Sequence, residues 1–211
     1  MKKQTYLVSG TLVAGLVLAG ISMSPLASTK AEAQRAPALP QAPKVIEDAF
    51  SSEMNLDKLS FPEGVNPPTI LDLVPEADGV DPKDIRVYDG AESVQFTVKP
   101  GTAGHHAVAS EAGSGNRAEV QVDKGDLAIM RALHWQCAWV REYVDAANAG
   151  NEAAQKTAAD QLATFPNLAA VRDYGPDLAG IQEDVITPMV SGDTAAGENW
   201  LAKSCGGIFP K

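Results

Sequence analysis

Cys137 and Cys205 are the only two cysteines in 211 residues, and how they are used constrains the fold more than any other feature. If both are oxidised within one chain, a single pairing exists, and the chain must fold back until positions 68 residues apart meet. Closing a loop of that length stabilises a fold by roughly 4 kcal/mol in the chain-entropy account, less if the bond is strained. Whether the thiols are oxidised depends on the compartment, and the N-terminus speaks to that.

Lys2 and Lys3 precede an apolar stretch from Tyr6 to Met23, and Ala31-Glu32-Ala33 supplies a small-x-small pattern. This order predicts an export signal over 1–33, cleaved after Ala33. The alternative is a retained N-terminal anchor, because an apolar stretch of about eighteen residues is near the lower limit for crossing a bilayer. Both place the remaining chain outside the cytoplasm, where disulfides form. A Cys137–Cys205 bond is therefore expected.

The formal net charge is −10, and removing Lys2, Lys3, Lys30 and Glu32 with the signal leaves about −12, spread over both halves of the chain. No cluster of Lys and Arg provides the cationic footprint that nucleic acid requires. Membrane contact is expected only through the signal segment, if it stays attached.

From Gln34 to Pro68, six prolines and sparse apolar residues without a sustained period predict a flexible tether. Val45, Ala49, Ser52 and Leu56 fall at helical intervals and allow a short helix within it. Over 69–125 the period becomes two. Val94, Phe96 and Val98, and again Ala118, Val120 and Val122, alternate with polar residues, with a shorter example at Ile85 and Val87 and a weaker one at His105 to Ala109. Turn residues at Asp89-Gly90, Pro100-Gly101 and Gly113 to Asn116 separate them, predicting a small antiparallel meander. Its apolar side chains are too few for a core alone.

From Asp126 onward the pattern is helical. Asp126 is the expected N-cap of a helix reaching Ala149, Asn151 caps a second helix to Phe165, and Leu168 to Tyr174 is a shorter piece. Leu178, Ile181 and Val185 mark a helix that should end before Pro188, and Thr194 to Cys205 is the last. The expected class is α+β: a small antiparallel β-meander followed by a disulfide-clasped helical bundle over 126–211.

The densest chemistry is His134-Trp135-Gln136-Cys137-Ala138-Trp139-Val140. At about 100° per residue, His134 shares a sector with Arg131, Arg141, Glu142 and Asp145, while Cys137 lies with Met130, Leu133, Val140 and Val144. His134 is thus expected on a wet face and Cys137 on a buried one, which separates a thiol from its base. Trp135 and Trp139 lie along one edge of this helix, and a disulfide would bring Trp200 into the same region. The three indoles either finish the core rim or form a contact surface for a partner.

Other chemistry is weakly signalled. His105-His106, with Glu111, points to opposite faces if extended, and no zinc spacing occurs. Asp78, Asp81 and Asp84 lack the ligand spacing of a calcium loop and read as turn residues. Glu183-Asp184 is a carboxylate pair whose relevance depends on separation in space. No serine-hydrolase, nucleotide or haem motif is present, so neither a cofactor nor a metal is expected. The expected function is an exported, non-enzymatic binding protein of a bacterial envelope or exterior. The alternative is a small secreted hydrolase using carboxylates or His134, and a calcium-stabilised module is a third reading.

Overall fold

A computed structural model describes residues 41–88, 90–99, 107–108 (backbone only) and 118–206. The signal segment and the His105, His106 and Glu111 cluster lie outside the described residues. Sheet and helices are parts of one compact unit.

Two short helices come first, α1 (Ala42–Ala49) and α2 (Ser51–Met54), and α3 (Ile70–Leu73) follows an extended connection. Pro43 starts α1 in a position that needs no N–H. Thr69 caps α3 through a capping box, its hydroxyl accepting from the Asp72 N–H while the Asp72 carboxylate accepts from the Thr69 N–H. These elements bury Ile46, Phe50, Ile70 and Leu73. The expectation of a tether over 34–68 is therefore corrected over 42–68. Prolines lowered the apparent order there, but they sit at helix starts and in connections, while Ile46 and Phe50 are fully buried and Leu59 and Phe61 pack on the helical core.

The sheet comprises β1 (Arg86–Tyr88), β2 (Ser93–Val98), β3 (Ala107–Val108) and β4 (Ala118–Asp123). All pairings are antiparallel, in the order β1-β2-β4-β3. The strands β1, β2 and β4 run as the expected antiparallel meander, and the short β3 joins it outside β4. The two six-residue strands, matched at Val94↔Val122, Phe96↔Val120 and Val98↔Ala118, take the centre, and two-residue β3 pairs on the outside. Val94, Phe96, Val120 and Val122 face inward against Ile46, Phe50, Leu73 and Leu127. This is the support that the sheet's own side chains could not provide.

The long helix α4 (Asp126–Asn148) follows β4 after a sharp turn. Its N-cap is Gly125 rather than Asp126, with φ +92°, and a side chain there would collide with the Tyr174 ring. Then come α5 (Glu152–Leu162), capped by Asn151 as expected, α6 (Ala169–Tyr174), α7 (Thr187–Val190) and α8 (Thr194–Lys203). The helix expected to stop before Pro188 runs through it. A widened π turn over Gln182–Ile186 leads into α7. Pro188 cannot donate to the carbonyl four residues back and would clash with it, and the wider turn removes that conflict. Helices α5 to α8 surround α4 and share a core of Trp135, Trp139, Val140, Leu162, Phe165 and Met189. Among the described residues no helix is long and apolar enough to cross a membrane.

Candidate functional site

The Cys137–Cys205 disulfide is formed, with Cα atoms 5.8 Å apart and both residues buried. It ties the middle of α4 to the end of α8, and a bond of this kind belongs to an oxidising compartment. Cys137 is thereby consumed as a nucleophile.

All seven residues from His134 to Val140 are buried, so α4 is enclosed on every side at this level. His134, expected on a wet face, is only 8% exposed. The reason is α3, which lies across that sector of α4 and brings the Asp72 carboxylate near enough for His134 to act on its charge. Asp72 itself is held below the usual carboxylate range, chiefly by the hydrogen bonds from Thr69 and to a lesser degree by His134. Further along the same sector Arg141 and Asp145 are exposed, so the wheel holds there and fails at His134, where another element covers the helix.

The tryptophan contact surface is likewise corrected. Trp135 and Trp139 are buried, and their indole N–H groups both donate to the Ser60 carbonyl, at 2.8 and 2.9 Å. One carbonyl has two lone pairs, and here each takes an indole. Trp200 is half-buried, packs on the same core and donates to the Gln136 side-chain oxygen at 2.9 Å. The buried Trp135 and Trp139 thus share one acceptor, and Trp200 is held separately at Gln136.

Sequence reading missed the partners of these groups. Residues 50–61 form a strap across α4. Glu53, buried, accepts from the Gly125 N–H at 2.7 Å, so a carboxylate faces the N-terminus of α4. Asp57 accepts from the Ala169 and Ala170 N–H groups at 2.8 and 2.9 Å and caps α6 from a remote segment. Arg131, half-buried beside Asp57, has its pKa lowered by burial, against the opposing pull of that carboxylate. The only sequence trace of the strap is its spacing of acids among Phe50, Met54, Leu59 and Phe61.

These acids are occupied in closing the fold, which leaves the surface. Asp78, Asp81 and Asp84 do not converge. Asp81 caps its own turn and pairs with Lys83 at 2.7 Å. Among the described residues no group of three His, Cys, Asp or Glu could hold a metal. A groove of about 390 Å³ runs between the 64–66 loop and Arg141, Glu142 and Asp145 of α4. A second, of about 350 Å³, crosses the outer face of the sheet and is lined by Lys83, Asp84, Arg86, Gln95, Thr97 and Glu119. From its Gln95 a polar ladder continues across the sheet, Gln95 donating to Gln121 and Gln121 to Asp123. Arg86 bonds the Tyr88 side chain, which together with Glu119 holds its pKa above the ordinary value. Beside this trench, β1 leaves Val87 and Tyr88 exposed.

No family model, curated protein or solved structure matches the chain.

Proposed function

We propose that the protein is an exported, non-enzymatic binding protein of the cell envelope or exterior, released by cleavage after Ala33, and that its recognition surface is the outer face of the sheet. One observation carries the choice of surface. Glu53, which is buried, and Asp57, which is partly buried, are bonded to main-chain N–H groups, and Glu76 is enclosed at 1% exposure, whereas the trench presents cations, carboxylates and amides together on an ordered strand face. Rigid strands hold such donors and acceptors in register at little entropic cost on binding. The mixed signs of Lys83, Arg86, Asp84 and Glu119 suit a polar partner able to accept and donate at once.

The test is retention from envelope extract on the immobilised, disulfide-bonded chain, compared with the same chain carrying Arg86→Ala and Glu119→Ala. A component retained saturably by the first and lost from the second supports the reading. Equal retention by both moves the surface elsewhere, and turnover of an ester, glycoside or peptide by the pure protein replaces the reading with the hydrolase.

A further inference from the structure

The sheet ends on an unfinished row. Val87 pairs with Val94, and Val94 with Val122, so the three valines lie in line across β1, β2 and β4 on one face. Val94 and Val122 are fully buried, whereas Val87 is 48% exposed. β1 is an outer strand, and all three of its residues are exposed. The Tyr88 carbonyl turns into the hairpin, accepting from the Ala91 and Glu92 N–H groups. Because backbone groups of successive strand residues face opposite sides, the Val87 N–H and C=O face the open edge.

We infer that β1 pairs with β1 of a second copy of this chain, antiparallel about a two-fold axis through Val87. In this register Val87 exchanges two backbone hydrogen bonds with Val87 of the second copy, and the valine row continues across the joint. Arg86 falls opposite Tyr88 of the second copy, twice. Self-complementarity selects a second copy over an unrelated strand, since a two-fold contact requires a segment to suit its own reverse. Arg-Val-Tyr does so: a guanidinium meets a tyrosine ring on one face and valine meets valine on the other. Charge permits it as well. Between Asp81 and Tyr88 two cations, Lys83 and Arg86, balance two carboxylates, Asp81 and Asp84, so the chain's negative charge is not concentrated at the contact. The product is a continuous eight-stranded sheet with the two outer-face trenches side by side.

Three residues bury far less than the roughly 1,000 Å² of a stable interface, so the dimer is weak, with a dissociation constant between about 10 µM and about 1 mM. Sedimentation of the disulfide-bonded chain across that range is expected to show a monomer–dimer equilibrium. Val87→Lys, which sets like charges opposite each other, should weaken it by about tenfold or more at unchanged melting temperature. Cysteines report the register. Under mild oxidation Val87→Cys alone, and an Arg86→Cys chain mixed with a Tyr88→Cys chain, should each form covalent dimers, about tenfold faster than Arg86→Cys alone. A monomer throughout the range, or equal cross-linking by all three single variants, overturns the inference. So does a monomer that instead captures an extended peptide at β1.

Discussion

The two halves around α4 use their polar groups in opposite ways. On the helical side they turn inward: three indoles donate to Ser60 and Gln136, Asp57 caps α6, and a disulfide closes α4 on α8. On the sheet side they turn outward, into the ladder of Gln95, Gln121 and Asp123 and the exposed β1. The difference teaches that the residues richest in chemistry are not the ones available to a partner. Tryptophan and histidine went to the helix α4 and its packing partners, and the surface proposed for recognition is made of amides and charges on strands.

This contrast can be broken most forcefully at the clasp. Replacing both cysteines with serine should cost roughly 4 kcal/mol by urea denaturation while leaving binding at the trench unchanged under conditions where the chain stays folded. Trp139→Ala should cost about 3 kcal/mol, and Trp139→Phe much less, because it keeps most of the packing and gives up one indole bond. An unaltered stability for the alanine variant would return Trp139 to the surface. Glu53→Ala should cost about 1–2 kcal/mol by exposing the start of α4 to an uncompensated buried N–H, read in the same titration.

Smaller still is the pH effect at α3. Because the folded pKa of Asp72 is lowered, its contribution is present above the unfolded value near 3.8 and is lost as pH falls through the folded one. Asp72→Asn should therefore flatten the acid limb of the stability profile and change little at neutral pH. Val87→Lys should shift monomer stability by no more than about 0.5 kcal/mol, since it alters an exposed position.

Much of this fold is legible in the sequence, for reasons that can be named. The alternation in Val94 to Val98 and Ala118 to Val122 marks the paired strands, because one wet face enforces period two. Asn151 and Gly150 mark the α4–α5 junction, because caps and left-handed glycines act locally. The Cys137–Cys205 bond needs only two thiols and an oxidising compartment. What stayed hidden is non-local. His134 is buried by α3, more than sixty residues earlier in the chain, and no wheel drawn on α4 contains that fact. The strap was masked by the prolines on either side of it, although Glu53 and Asp57 each have a dedicated partner in the fold. Pro188 looked like a stop because the rule for proline assumes an α turn, and the chain supplies a wider one. The trench was unreadable because it is built from ordinary solvent-facing residues of three strands and a turn.

The Ser60 carbonyl, shared by two indoles, has a consequence for how the chain comes into being. Its partners lie 75 and 79 residues further along. During synthesis the strap emerges well before the helix it crosses, so for that interval Phe50, Leu59 and Phe61 have nothing to cover. A segment made early thus depends for its cover on a helix made later.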